Sequence, residues 1–238
     1  MKLVVAKFGG SAIGIDGVSI PLIVNRIKDL KKDSKIIAVF SAPLTTQNGK
    51  KCSLTDVILE QGRSVEKGTK ATLDTVKSCY QKILGLVNSE NKEDCQKIID
   101  LFLKKAEKAL EEALEKKEFA EEIRSRSLAF SGEILMSHVM NYILKSNGIK
   151  TDAVSYDDWP IITDYNIEST NFLAAKSREN LDKTAKLVEE NEVVTIGGFI
   201  GKTPDGITTT YERGGSDRTA ADLGILFHKK YETRIDFE

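Results

Sequence analysis

The chain has 238 residues, of which 40% are hydrophobic and 30% charged, and its formal net charge at pH 7 is −1. That length can bury a sizeable core in one large α/β domain. A nearly neutral chain has no overall field to attract nucleic acid or an anionic membrane, so we expect neither as a partner.

Cysteines and histidines are few and scattered. Cys52, Cys79 and Cys95 are odd in number and form no CxxC motif, and His138 and His228 lie far apart. We therefore expect no disulfide framework and no metal held by these side chains. No apolar run is long enough for a signal peptide or a membrane span. These features together predict a cytoplasmic location.

The first predicted elements form a βαβ unit. The apolar run LVVAKF (residues 3–8) indicates a buried strand that ends at a glycine pair. Apolar residues at helical spacing over residues 20–30 predict a helix, with Pro21 in its first turn. KIIAVFSA (residues 35–42) predicts a second buried strand, which should lie parallel to the first.

The next segment is strongly charged. QNGKKCS (residues 47–53) is typical of an exposed loop, and residues from about 54 to 126 predict a charged, helix-rich excursion on one side of the sheet. Its Lys- and Glu-rich stretch keeps no sustained heptad, so we interpret it as a solvated amphipathic helix rather than a coiled-coil partner site.

Helices and strands alternate over the remainder. Residues 132–148 and 180–191 predict helices, 150–156 and 192–201 predict strands, and a Thr-rich strand, a helix to about residue 230 and a strand at 232–237 follow. This alternation predicts an α/β fold with a mostly parallel sheet flanked by helices.

Three glycine-rich turns follow predicted strands, where ligands bind in such sheets. They are Gly9-Gly10, Gly197-Gly198 with Gly201, and Gly214-Gly215. None matches the Walker A or the GxGxxG phosphate motif. In KFGGS, Lys7 and the glycine amides could hold a phosphate, although a strand followed by two glycines is also an ordinary turn.

The motif RGGSD, residues 213–217, has two interpretations. Arg213 offers a planar fork for a carboxylate or phosphate, and two glycines allow close backbone approach. Alternatively, Ser216 or Asp217 simply caps the following helix. In the same way, Glu133 suits the dipole of the helix that it begins, and Ser41, Thr55 and Asp56 are ordinary capping residues in isolation.

Taken in order, several segments resemble the aspartate kinase family of the amino-acid kinase superfamily. They are VAKFGGSAIG, VFSAP, LTDVILE, FSGEILMS, GGFIG and GITTTYERGGSDRTAAD. The resemblance runs from residue 2 to the last residue. It implies a three-layer αβα sandwich of the carbamate kinase-like type. It also implies transfer of the γ-phosphoryl group of ATP, with Mg²⁺, to the β-carboxylate of L-aspartate, the first step of lysine, threonine and methionine biosynthesis.

The resemblance also implies roles for individual residues. Lys7, helped by the amides of Gly9 and Gly10, would neutralise the moving phosphoryl group, and Asp217 would orient the lysine. Gly214 and Gly215 would add phosphate contacts. On the acceptor side, the resemblance implies that Arg213 clamps a substrate carboxylate and that Glu133 pairs with the substrate ammonium. It also implies that Phe199 forms a wall of the pocket. Hydroxyl contacts to the substrate would come from Ser41, Thr55 and Ser216.

The sequence departs from the family pattern in two places. The family usually has LGRGGSD, whereas Tyr211-Glu212 precede the arginine here, so Glu212 could pair with Arg213 or point to solvent. The family's nucleotide-side portion and regulatory ligand-binding domains have no counterpart, so we expect residues 1–238 to be a C-terminally incomplete kinase domain. Its exposed sheet edge favours a homo-oligomer.

Two other functions stay open from the sequence. The chain could be a kinase of the same fold for another acid, such as glutamate or acetylglutamate, or for a nucleoside monophosphate. It could also be a non-catalytic module that binds aspartate or supports assembly.

Overall fold

The computed structural model describes residues 2–212 and 214–238. Its strands are β1 (Lys2–Phe8), β2 (Lys35–Phe40), β3 (Leu44–Gln47), β4 (Lys50–Ser53), β5 (Thr151–Ala153), β6 (Val193–Gly197), β7 (Ile200–Lys202), β8 (Thr208–Thr210) and β9 (Glu232–Phe237). Its helices are α1 (Gly10–Ile13), α2 (Ile20–Leu30), α3 (Leu54–Glu66), α4 (Asp74–Leu84), α5 (Ser89–Lys116), α6 (Glu121–Ser131), α7 (Glu133–Ser146), α8 (Ala174–Glu179), α9 (Asp182–Glu190) and α10 (Gly215–Phe227).

The central sheet has five strands in the order β5-β6-β2-β1-β9, and every neighbouring pair is parallel. Strands β1, β2 and β6 are buried almost throughout. A parallel strand covered on both faces needs a continuous apolar sequence, which explains why these strands show no polar alternation. The βαβ unit predicted at the N-terminus is confirmed, with Val4 opposite Ile36 in the register.

Helices cover both faces of this sheet. Helices α2 and α7 each precede a strand that lies nearer the β5 edge of the sheet than the sheet strand before it. Helices α9 and α10 each precede a strand that lies nearer the β9 edge. Because crossovers between parallel strands are right-handed almost without exception, the two pairs of helices lie on opposite faces. The prediction of a three-layer αβα sandwich with a mostly parallel sheet is confirmed.

The segment 47–53 is part of a β-hairpin, so the prediction of an exposed loop is wrong. Strands β3 and β4 pair antiparallel, and Asn48 and Gly49 form the turn with φ of +51° and +73°. Two left-handed residues in a two-residue loop match the right-handed twist of the flanking strands. The Asn-Gly dipeptide was the available signal in the sequence.

The charged excursion consists of helices, as predicted. Helices α3, α4, α5 and α6 pack together, and α5 contributes eight buried residues, from Cys95 to Ala113. The last of these helices continues to Ser131, beyond the predicted limit at 126. The division of the chain into a kinase domain with an inserted excursion stays a prediction. Among the described residues, no helix is long and apolar enough to cross a membrane.

Candidate functional site

A cavity of about 810 Å³ opens where several strands of the sheet end. The N–H of Ser41, just after β2, donates to the carbonyl of Phe8 at 3.1 Å, and the N–H of Gly198, just after β6, donates to the carbonyl of Phe40 at 2.8 Å. The carboxyl ends of β1, β2 and β6 therefore meet at one edge of the sheet. Ligands of open parallel sheets bind at this edge.

Most of the predicted site residues line this cavity. They are Lys7, Gly10, Ser41, Thr55, Glu133, Phe199, Gly214, Gly215 and Ser216. Two others stand beside Lys7 rather than in the lining: an ideal Cβ on Gly9 would lie 3.0 Å from its Nζ, and Asp217 pairs with it. Arg213 lies outside the described residues, so its clamp on a substrate carboxylate stays a prediction.

Lys7 and Asp217 form an ion pair beside the cavity. The Lys7 Nζ lies 2.8 Å from the Asp217 Oδ1, and the lysine side chain is 17% exposed. Lys7 comes from the end of β1, and Asp217 from the first turn of α10. The carboxylate therefore holds the ammonium beside the cavity without closing it off, because Lys7 still contributes to the lining.

Glu133 is a buried acid with an unsatisfied oxygen. It is the first residue of α7, it is 5% exposed, and its Oε2 has no hydrogen-bond partner among the described residues. Burial raises the pKa of Glu133 to about 7, against the opposing effect of hydrogen bonds from the backbone N–H groups of Glu133 and Ala42. A carboxyl group in this state is suited to receive a cationic ligand.

Phe199 occupies an uncommon backbone conformation next to the cavity. Its φ is +68°, in the left-handed region, which disfavours side chains with a Cβ. Two neighbours hold it there: the Phe199 N–H donates to the Oγ1 of Thr219 at 3.0 Å, and the Phe199 carbonyl accepts from the N–H of Tyr211 at 2.9 Å. Strain that is fixed by surrounding contacts often occurs at functional sites.

Helix α10 begins without a side-chain cap from the residues that the structure describes, so the prediction that Ser216 or Asp217 caps it is wrong. The N-cap is Gly214, with a φ of +84°, and both predicted capping residues lie inside the first turn. Gly214 adopts this conformation without the Cβ clash that other residues would have. The Ser216 side chain is thereby left to line the cavity, and Asp217 to pair with Lys7.

Helix α3 begins with a serine N-cap. The Ser53 Oγ accepts from the Asp56 N–H at 3.0 Å and donates to the Asp56 carboxylate at 2.8 Å. The Asp56 side chain does not cap the helix backbone, so its interpretation as a capping residue is wrong; it accepts from the Ser53 hydroxyl and lines the cavity. Thr55 does not cap the helix and lines the cavity instead.

Comparison with known proteins identifies the family. Residues 2–231 match the profile of the Amino acid kinase family. The chain belongs to this family. It is 28% identical over 114 residues to a chloroplastic bifunctional aspartokinase/homoserine dehydrogenase 2 of Arabidopsis thaliana, and 32% identical over 109 residues to aspartokinase 1 of Bacillus subtilis. These alignments cover 48% and 45% of this chain, and 12% and 26% of the two relatives.

Solved aspartokinases share the fold of this amino-acid kinase family member. E. coli aspartokinase III in complex with aspartate and ADP has a TM-score of 0.76 at 20% identity, over 99% of this chain and 48% of its own. The Clostridium acetobutylicum aspartate kinase has a TM-score of 0.66 at 22% identity, over 96% of this chain and 46% of its own. The chain thus spans about half the length of these solved relatives.

Sequence reasoning missed several charged residues that line the cavity in this family member. Arg124 of α6 donates through two nitrogens to the Glu168 carboxylate, with 2.7 Å between Nη2 and Oε2, and through Nη1 to the carbonyl of Phe119 at 3.0 Å. Arg63 and Glu66, near the end of α3, line the same cavity. These are common surface residue types, distant in sequence from their partners, so no local pattern could have indicated them.

The two residues at the departure from the family pattern have different environments. Tyr211 is buried and lines the cavity, and its hydroxyl donates to Asp222. Glu212 is exposed at the cavity wall and accepts a hydrogen bond from the Ser169 hydroxyl at 3.1 Å. Arg213 lies outside the described residues, so its pairing with Glu212 stays a prediction.

Proposed function

We propose that this chain binds L-aspartate and takes part in transferring the γ-phosphoryl group of ATP to its β-carboxylate. Membership of the Amino acid kinase family and the names of the aspartokinase relatives support this proposal. The observation that carries it is the presence, in one cavity, of a buried acid, Glu133, whose Oε2 has no hydrogen-bond partner among the described residues, and of a cation, Lys7. The acid suits the ammonium of an amino acid, and the cation suits the phosphoryl group that would be transferred to it.

On the acceptor side, the substrate ammonium would pair with the buried carboxylate of Glu133 and donate to its unsatisfied Oε2. Hydroxyls of Ser41, Thr55 and Ser216 in the lining would donate hydrogen bonds to the carboxylates. The Phe199 side chain would close one wall. Arg213, by its resemblance-based role, would form the bidentate carboxylate clamp.

On the donor side, Lys7 would neutralise charge on the phosphoryl group as an aspartate oxygen bonds to phosphorus and the bond to ADP breaks. A carboxylate nucleophile carries no proton to remove, so the reaction needs no strong base. The ion pair with Asp217 suits an orienting role for this acid.

The residues near Lys7 fit a phosphate better than a preformed metal cage. Gly10 and Gly214 line the cavity together with Lys7, and an ideal Cβ on Gly9 would lie 3.0 Å from the Lys7 Nζ. Among the described residues, no group of three or more His, Cys, Asp and Glu side chains could hold a metal ion. Mg²⁺ would therefore be bound mainly through the nucleotide phosphates, where it would neutralise their charge. A place in lysine, threonine and methionine biosynthesis, a homo-oligomeric state and a cytoplasmic location stay predictions.

Calorimetry with L-aspartate and L-glutamate tests the acceptor, and ATP- and Mg²⁺-dependent hydroxamate formation tests turnover. We expect the chain to bind L-aspartate, and we expect Glu133→Gln to weaken this binding strongly. The matched control is Glu192→Gln, because Glu192 pairs with Lys31 away from the cavity lining. Preference for glutamate, or binding unaffected by Glu133→Gln, contradicts the proposed acceptor site. Aspartate binding without hydroxamate formation favours a binding module over a working enzyme.

A further inference from the structure

Tyr211 and Asp222 form a buried hydrogen-bonded pair beneath the start of α10. The Tyr211 hydroxyl donates to the Asp222 Oδ2 at 2.6 Å, and the two residues are 1% and 5% exposed. Burial raises the pKa of the tyrosine hydroxyl, and burial also raises the pKa of the aspartate carboxyl, against the opposing effect of the hydrogen bond. A polar pair buried in this way is costly to leave half-satisfied, so each partner fixes the other.

Tyr211 contacts both sides of the turn that leads into α10. Its backbone N–H donates to the carbonyl of Phe199 at 2.9 Å, and its Cβ lies only 2.4 Å from the position of an ideal Cβ on Gly215. The phenol then reaches Asp222, which lies two turns into the helix. Arg218, on α10, lies over the Tyr211 ring, with 5.2 Å between its guanidinium carbon and the ring centroid. The side chain therefore runs along the first two turns of α10 as a strap.

The segment beside this strap contributes to the cavity. Gly214, Gly215 and Ser216 line it, and Asp217 holds Lys7. Asp222 is not in the lining, so it can act on a ligand only through the segment that it holds. A small rotation of α10 would move the Ser216 side chain and the Asp217 carboxylate together, because they share one helical turn.

We propose that Tyr211 and Asp222 are positioning residues that set the orientation of residues 214–217 for ligand binding. The inference deepens the proposed function and relies on it only for the choice of aspartate as the ligand. The alternative is that the pair adds stability to the fold without affecting the site. The two possibilities differ in whether the loss of one hydroxyl disturbs residues 214–217 selectively.

Three variants and one control separate these possibilities. Tyr211→Phe removes only the hydroxyl, Asp222→Leu removes the acceptor, and Asp222→Asn retains an acceptor oxygen. The control is Tyr231→Phe, because Tyr231 is also 5% exposed or less and its hydroxyl has no partner in the described part of the chain. Circular dichroism and thermal melts establish that each variant folds.

We expect Tyr211→Phe and Asp222→Leu to weaken aspartate binding about tenfold or more, because residues 214–217 would lose the contact that fixes their orientation, and tenfold corresponds to about 1.4 kcal/mol. Asp222→Asn should remain within about threefold of the unmodified chain, because its amide oxygen still accepts from the phenol. Tyr231→Phe should leave the affinity unchanged. An unchanged affinity in Tyr211→Phe, with a lowered melting temperature, would overturn the proposal.

Hydrogen exchange provides a readout that needs no ligand. In Tyr211→Phe, the amides of residues 214–217 should exchange about tenfold faster, while those of the β1 and β2 strands stay protected. If the unmodified chain binds no aspartate, the proposed function fails, and the exchange result alone decides on the positioning pair. Uniform exchange changes across the molecule, or changes equal to those in Tyr231→Phe, contradict it.

Discussion

The ammonium of Lys7 and the carboxylate of Asp217 form a 2.8 Å ion pair that joins the end of β1 to the first turn of α10. Asp217 is about half exposed, so the pair contributes little to stability, about 0–1 kcal/mol for pairs of this kind. Its significance is geometric. It fixes a cation at the point where the sheet and the glycine turn before α10 meet.

Replacing Lys7 should separate turnover from substrate binding. Because the ammonium would act on the moving phosphoryl group, Lys7→Ala should abolish hydroxamate formation and change the aspartate binding free energy by less than ~1 kcal/mol. Asp217→Asn should lower turnover less, since the ammonium is retained and only the ion pair that orients it is lost. The matched control is Lys31→Ala, which breaks an ion pair with Glu192 instead. Equal losses of binding and turnover in Lys7→Ala would refute this division of roles.

Aspartate affinity should depend on pH through Glu133. Only the ionised carboxyl can pair with an ammonium, and burial raises the pKa of Glu133 to about 7. Affinity should therefore increase with pH below 7, by at most about tenfold per pH unit, and level off above it. Calorimetry in buffers of different ionisation enthalpy should detect proton release on binding at pH 6. A pH-independent affinity, or the same pH dependence in Glu133→Gln, contradicts this account.

The same acid should make the free energy of unfolding depend on pH. The pKa of Glu133 is raised from 4.5 to about 7, so the folded state holds more protons than the unfolded state between these values. Stability from this group is full below pH 4.5 and falls as the pH rises to 7, by about 3 kcal/mol in total.

Urea denaturation at pH 4.5 and pH 8 checks that expectation. Glu133→Gln should gain stability relative to the unmodified chain as the pH increases over this range. Glu192→Gln should show almost no pH dependence over this range, because hydrogen bonds from Lys31 and the backbone hold the pKa of Glu192 below its usual value, so the stability from this group is lost only as the pH falls below 4.5. The result fails if both variants respond to pH in the same way.

The fold was predictable from the sequence because its parallel strands are buried on both faces. Such strands must be apolar throughout, and the runs at residues 3–8 and 35–42 show this directly. The hairpin at residues 44–53 was missed because its strands are short, polar and partly exposed. Its one strong signal, Asn48-Gly49, was outweighed by the surrounding lysines.

The candidate site was predictable only where its residues belong to motifs. Lys7 and the glycine turns stand at strand ends, and Glu133 was found through the resemblance. The pairs Arg124 with Glu168 and Tyr211 with Asp222 depend on the tertiary arrangement of segments. The predicted cap of α10 was wrong because the helix begins earlier than the sequence indicated. Its N-cap is Gly214, in the left-handed conformation, so Ser216 and Asp217 already lie in the first turn.

Phe199 offers a test of backbone strain at the site. Alanine at an ordinary position is more stable than glycine by about 0.5–1 kcal/mol. At a φ of +68° we expect the reverse, with Phe199→Gly more stable than Phe199→Ala by about 1 kcal/mol, because a Cβ is disfavoured there. Both variants lose the ring, so their difference reports the backbone alone. Phe172, whose φ is not positive, is the control and should show the ordinary order.

Gly214 and Gly215, at the start of α10, should differ sharply when each is replaced by alanine. A Cβ on Gly214 meets no described atom within 4 Å, so Gly214→Ala has only the conformational cost of a φ of +84°, about 1–2 kcal/mol. A Cβ on Gly215 would lie 2.4 Å from the Tyr211 Cβ and 2.8 Å from the Phe199 Cδ2.

Neither neighbour of Gly215 can move freely, because Tyr211 and Phe199 are joined by a backbone hydrogen bond and Tyr211 is held by Asp222. Gly215→Ala should therefore displace α10, weaken aspartate binding, and lower stability by about 3 kcal/mol, at the upper end of the usual cost of overpacking. Thermal melts and calorimetry on both variants measure this contrast. If Gly215→Ala binds aspartate normally while Gly214→Ala does not, close packing against Tyr211 is not what orients the start of the helix.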